Sequence, residues 1–347
     1  MLRSLVLALA ASVVSSVTAI AEPVRFAVTD IEGLEALQQE FGGFQEALEA
    51  ETGLDIELIS VSSRTAAVEA LNAGQVELVL TGPAEYVVMK ELSDPRIVVA
   101  WQRPDYFAQL AVLADGPIRT IEDLKGKKIA FGSVGSTSQH LGPAQALADQ
   151  GVNYGVDYEP VIISRNVAAE ALIRGDIAAM GLNFDHLNSI RAAFPDKAFA
   201  VVARGRDLPN DILVARKDIP EDVYETIRDA FLENGNELMN AVLKGEDNQK
   251  FKGGTFLTDI DDSEYDYVRS MYRTIGVDTF TAFVERAFSW TRRRPRRPVR
   301  FTRPCRLPLA GSRNDWMSRR PRRRGQRSSA PVISAKPTPT AAMSSPV

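Results

Sequence analysis

The stretch DLKGKKIAFGSVGSTS, residues 123–138, sets the frame for the whole chain. Its run KIAFG (128–132) reads as a buried strand, which passes into a glycine-containing turn. Three consecutive hydroxyls follow, Ser136, Thr137 and Ser138, and then the helical pattern HLGPAQALADQ (140–150). Free N–H groups at a helix start, aided by the positive end of the helix dipole, favour an anion. Hydroxyl donors suit a tetrahedral oxyanion. Ser and Thr are also the commonest helix caps, so the pattern admits both a cap and a ligand cradle, although one cap uses only one hydroxyl. Pro143 either occupies the first turn of the helix or kinks it.

Outward from this unit the pattern repeats. Apolar or β-branched runs bounded by Gly, Pro or Asp predict strands at 24–29, 55–61, 75–80, 96–101, 107–113, 128–132, 160–164, 176–182, 198–203 and 211–216. Helical periodicity falls at 33–52, 64–73, 84–92, 137–150, 166–174, 184–193, 220–244 and 263–285. Alternation of this kind implies an α/β protein with mostly parallel sheets covered on both faces. An internal echo supports two similar α/β lobes: VEALNAGQVELVLTG (68–82) and AEALIRGDIAAMGLN (169–183) are each a helix, a glycine and a buried strand.

The two ends differ from this body. Residues 1–21 carry Arg3, the apolar run LVLALAASVVSSV and the small-x-small site Ala19-Ile20-Ala21, which together read as an export signal with the mature chain starting at Glu22. No Cys stands at that site, so the expectation is a periplasmic protein without a lipid anchor. Cys305 is the only cysteine, so no disulfide staple is expected. Charge divides sharply: before residue 286 stand 24 Lys+Arg against 44 Asp+Glu, and after it 17 against one. Residues 286–347 hold arginine clusters and nine prolines without helical or strand period, and read as a disordered basic tail. A nucleic-acid or membrane arm fits poorly on an exported acidic body. The abrupt change after Glu285, inside a helical pattern, reads better as a shifted reading frame or a cloning scar.

LKGKKIAFGSVGSTS, together with Thr81-Gly82-Pro83-Ala84-Glu85-Tyr86 and the later segments LPNDILVARKDIP (208–220) and YDYVRSMYRTIG (265–276), resembles the phosphate/phosphite/phosphonate-binding proteins of ABC transporters. The resemblance implies a two-lobed type II periplasmic-binding-protein fold with a hinge cleft, lobe one at 22–110 and 210–285 and lobe two at 111–209. It implies that Ser136, Thr137 and Ser138 cradle the phosphorus oxygens, and that Tyr86 reaches them from lobe one with Thr81 and Gly82 beside it. The implied partners are a small phosphorus anion and a membrane permease with its ATPase. The chain is expected to be a monomer with no cofactor.

Departures from the family pattern narrow the ligand. Ser164-Arg165-Asn166 stands where aminoalkylphosphonate binders tend to show Ser-His-Asp, and Ala178 stands where the family often has Asp. Arg165 offers a forked donor to an oxyanion, and Asn166 lacks the charge to meet an ammonium. Asp185 retains one carboxylate. An amine-free tail is therefore expected. His140 is expected to pack in the cleft wall and His186 to cap a helix or face water; two histidines form no convincing metal site. A hydrolase is disfavoured, because GSTS lacks the second glycine of a nucleophile elbow and no phosphate-loop lysine follows. A ligand sensor for a membrane signalling partner remains as an alternative to transport.

Overall fold

The computed structural model describes residues 22–279; the expected export signal and basic tail lie outside them. The strands are β1 (Val24–Val28), β2 (Ile56–Ile59), β3 (Leu78–Thr81), β4 (Arg96–Trp101), β5 (Phe107–Leu113), β6 (Lys128–Phe131), β7 (Glu159–Ile162), β8 (Ala179–Asn183), β9 (Phe199–Asp207), β10 (Asp211–Ala215) and β11 (Phe256–Leu257). The helices are α1 (Leu34–Thr52), α2 (Arg64–Asn72), α3 (Pro83–Ser93), α4 (Gly142–Ala148), α5 (Arg165–Arg174), α6 (Phe184–Ala193), α7 (Glu221–Glu233), α8 (Gly235–Val242) and α9 (Asp266–Thr274).

Two sheets form, in the orders β11-β4-β10-β3-β1-β2 and β7-β6-β8-β5-β9. Both are mixed, which corrects the expectation of mostly parallel sheets. β1 pairs in parallel with β2 and β3, and β6 with β7 and β8. β10 and β5 run antiparallel to both of their neighbours. The reason lies in connectivity. β5 is the first strand after the chain crosses into the second sheet, and β10 the first after it returns. No helix separates either from the strand before it, so neither belongs to a right-handed βαβ unit.

The internal echo falls on equivalent places. β3 and β8 each follow a helix that ends at a left-handed glycine, Gly74 (φ 68°) or Gly175 (φ 81°). Each then lies between one parallel and one antiparallel partner.

Each sheet is covered on both faces, which explains why β3 and β10 are buried throughout. On the first sheet, α1, α7 and α8 enclose an aromatic cluster in which Trp101 meets Phe44, Phe251 and Phe256 at 5.1–5.3 Å between centroids. α2, α3 and α9 cover the opposite face. α4 covers one face of the second sheet, and α5 and α6 the other. The expected helix 220–244 is broken at Asn234 (φ −123°, ψ 27°), whose neighbour Gly235 starts α8. Among the described residues no helix is long and apolar enough to cross a membrane.

Candidate functional site

After β6 the chain makes a wide turn before α4. The amides of His140 and Leu141 both donate to Ser136 O, at 3.0 and 2.9 Å, and Gly142 N donates to Thr137 O. Pro143 then sits in the first turn of α4, where its missing N–H costs nothing. The turn is wedged against the sheet: a Cβ on Gly181 of β8 would lie 2.7 Å from Pro143 Cβ, and one on Gly142 would lie 2.6 Å from Ala108 Cβ of β5. This close approach fixes Ser136, Thr137 and Ser138 on the wall of a cavity of about 260 Å³ between the sheets. All three are 3–5% exposed.

The opposite wall is charged. Arg64 opens α2, Arg103 lies in the crossing segment after β4, Asp211 begins β10, Asp30 comes from the turn after β1, and Lys250 from a short 3-10 helix at Asp247–Phe251. Arg103 bonds Asp211 at 3.3 Å, with both side chains under 10% exposed, and lies 3.8 Å over the Tyr106 ring. Arg64 pairs with Asp30 and with Glu85, while Lys250 reaches Asp30 at 3.6 Å. Burial would raise the Asp30 carboxyl, but Arg64, Lys250 and Arg103 outweigh it and hold the group well below the usual carboxylate range. For Asp211 burial prevails over Arg103, so its carboxyl is raised. Asp211 Oδ1 is buried without a hydrogen-bond donor among the described residues. Burial pushes Tyr106 up to about 12, and Asn183 Nδ2 donates to Ser138 Oγ at 3.4 Å.

The residues expected from the sequence separate into two groups. Ser136, Thr137, Ser138, Gly82 and Arg165 line the cavity, as does His186. Burial, with Arg165, Arg103 and Lys250 nearby, lowers His186 to about 3, and its Nδ1 is buried without a hydrogen-bond partner among the described residues. Tyr86 does not line it. The Tyr86 hydroxyl donates to Asp262 Oδ1 at 2.8 Å and its ring packs on Tyr265 at 4.5 Å. Because α3 begins at Pro83, the helical step directs Glu85 toward Arg64 and carries Tyr86 toward the C-terminal segment. Thr81 is buried and accepts from the Thr29 hydroxyl at 3.3 Å, away from the cavity lining. Asn166 lines a shallower hollow with Arg165, Ser164, Ser133 and Gln139, and Asp185 is exposed beside the site. His140 lies behind the turn, where Nδ1 accepts from Gly135 N at 3.0 Å and Nε2 meets the Tyr154 hydroxyl at 2.9 Å.

Sequence reading missed Arg64, Arg103, Tyr106, Asp211 and Lys250. Asp211 stood within the LPNDILVARKDIP segment but carried no recognisable spacing. Arg103 and Tyr106 fall where two strands follow one another without a helix, and that break was the available signal.

A cavity walled by directed hydroxyls and buried ion pairs, between two covered sheets joined by crossing segments, defines the class: a two-lobed solute-binding protein of the periplasmic-binding fold. Residues 26–264 match the family described as ABC transporter, phosphonate, periplasmic substrate-binding protein, and the chain belongs to it. Over 138 residues it is 30% identical to the phosphate-import protein PhnD of Mycolicibacterium smegmatis, an alignment covering 38% of this chain and 43% of that protein. The chain thus aligns with less than half the length of the curated relatives it matches. PhnD1 from Prochlorococcus marinus, solved in complex with methylphosphonate, shares the fold at a TM-score of 0.59 and 17% identity, covering 73% of this chain and 98% of that one. The periplasmic aliphatic sulphonate binding protein SsuA of Escherichia coli does so at 0.51 and 16%, covering 77% and 88%.

Proposed function

We propose that this chain is an exported receptor that captures a small phosphorus oxyanion, a phosphonate, phosphite or phosphate, and delivers it to a membrane permease and its ATPase. The two sheets act as lobes that close about segments 102–106 and 208–210, between β4 and β5 and between β9 and β10. Arg103, Tyr106 and Asp211 lie on or beside those segments, so ligand contacts there bear directly on closure. The hydroxyls of Ser136 and Ser138 and the amides that open the turn donate to the anion, with Arg103 and Arg165 adding charge.

The observation that carries the phosphorus reading is Asp211 Oδ1, a buried oxygen on the cavity wall without a donor. A hydrogen phosphonate or hydrogen phosphate brings the missing proton. A sulfonate is a strong acid and carries none, so it would leave two acceptors facing each other. Isothermal titration of the full chain with phosphate, phosphite, methylphosphonate, sulfate and methanesulfonate tests this. A selective response to a phosphorus anion is expected, and equal or tighter binding of methanesulfonate would refute the reading.

A further inference from the structure

Gly82 marks a point where three oxygens converge. A side chain there would place its Cβ 2.9 Å from Glu85 Oε2 and 3.9 Å from both Asp211 Oδ1 and Thr137 Oγ1. The oxyanion reading employs Asp211 and the hydroxyl turn, and leaves Glu85 without a role. Yet Glu85 is only 5% exposed, and its Oε2, like Asp211 Oδ1, has no hydrogen-bond donor among the described residues. Its other oxygen is held by Arg64. Arg64 and Asp30 line both the ligand cavity and a neighbouring cavity of about 370 Å³, which Glu85 also lines together with Val88 and Val134. The Glu85 carboxyl therefore stands in the partition between the two spaces, just across Gly82 from the phosphorus-binding turn.

We infer that the cargo carries a hydroxyl on its organic group, so that the ligand is a hydroxyalkyl phosphonate with phosphorus against Ser136–Ser138 and its carbinol hydroxyl donating to Glu85 Oε2. The inference rests on the oxyanion reading and goes beyond it in naming the tail. Donor count selects a hydroxyl over an ammonium. Oε2 offers one unpaired acceptor, which a hydroxyl meets with its single O–H, whereas an ammonium brings three N–H donors and would bury those left over. Burial raises the Glu85 carboxyl despite Arg64, and a hydroxyl both donates and accepts, so it satisfies this group in either protonation state. A bare alkyl tail would leave Oε2 unpaired, the arrangement by which sites reject an analogue lacking a hydroxyl.

The test compares hydroxymethylphosphonate with ethylphosphonate, a near-isostere in which methyl replaces hydroxyl, by isothermal titration of the full chain. Methylphosphonate and 2-aminoethylphosphonate serve as further ligands, and Glu85→Met and Glu85→Leu as variants whose folding is checked by circular dichroism. The wild type is expected to prefer hydroxymethylphosphonate over ethylphosphonate at least tenfold, and Glu85→Met to reduce that ratio to within about twofold. Should Glu85→Met not fold, Glu85→Leu must lower the ratio instead. Equal affinities in the wild type, a ratio that survives in the folded variant, or tighter binding of 2-aminoethylphosphonate than of the hydroxyl ligand would each overturn the inference while leaving the oxyanion reading in place. If no phosphonate binds, that reading fails and the inference falls with it.

Discussion

The hydroxyl of Thr137, in the turn after β6, accepts a hydrogen bond of 3.0 Å from the backbone N–H of Ala84, in the first turn of α3. The Ala84 amide has no acceptor within its own helix, and α3 follows Gly82, which offers no capping side chain. The second sheet thus caps a helix of the first. One of the three expected cradle hydroxyls accepts a bond that holds the sheets together, while its own O–H remains able to donate.

Thr137→Val keeps shape and removes that acceptor. The stranded, buried Ala84 N–H should cost about 1–3 kcal/mol, read as a lower urea midpoint. Affinity for the preferred anion should fall about tenfold or more, because the contact that joins the sheets around the ligand is lost. Unchanged stability would show that the bond contributes nothing in solution.

Tyr86→Phe separates two roles. Its hydroxyl bonds Asp262, so deletion should cost about 1 kcal/mol of stability and change ligand affinity less than twofold. A tenfold loss of affinity by titration calorimetry, at intact stability, would return Tyr86 to the ligand.

The Arg103–Asp211 pair should behave asymmetrically. Arg103→Met leaves Asp211 buried without its partner, a loss of about 3–5 kcal/mol. Asp211→Asn keeps shape and a polar group, and should cost less. Chemical denaturation of the two variants compares them directly, and equal losses would contradict the account.

Most of the fold was legible because each element follows local rules. Strands β1 to β10 coincide with β-branched or apolar runs, and Gly74 and Gly175 mark the helix ends of the echo. What escaped depended on distant partners. β11 is two residues long and exists because Phe256 and Leu257 pair with β4. The wide turn at 137–141 depends on Pro143 meeting Gly181, 38 positions away, which no local pattern announces. Within the site, hydroxyls at consecutive positions were visible, whereas Arg64, Arg103 and Asp211 acquire meaning only when the two sheets face each other. Tyr86 shows the converse: an aromatic beside the right motif, turned to the other side of its helix.

Acid should destabilise the protein through its two histidines. Burial lowers His140 to about 4, and His186 falls to about 3 through burial and the cations beside it. Between pH 6.5 and those values the unfolded chain binds a proton that the folded one refuses, so stability falls as pH falls, by about 1.4 kcal/mol per pH unit for each histidine. The raised carboxyls of Glu85 and Asp211 oppose this trend, since they bind protons more readily when folded. The difference between wild type and His140→Asn isolates one contribution. That variant should show a flatter decline in urea midpoint from pH 6.5 to 4.5, and parallel curves would show that His140 does not titrate as its burial requires.

Gly181→Ala probes the packing that positions the whole turn. Gly181 is central in β8, and the added methyl would meet Pro143 at 2.7–2.8 Å and Gln139 O at 3.1 Å. Neither neighbour can retreat: Pro143 is locked by its ring at the start of α4, and Gln139 O accepts the Gly132 amide. Relief must come from displacement of the turn, at about 1–3 kcal/mol for overpacking. The same movement shifts Ser136, Thr137 and Ser138 relative to Arg103 and Asp211, so anion affinity should drop more than tenfold although no cavity-lining residue is altered. Gly205→Ala serves as the control, because its nearest contacts would lie at 3.5 Å and ordinary van der Waals distance requires no shift. Equal affinities for the two variants would mean that the turn holds its place without the glycine.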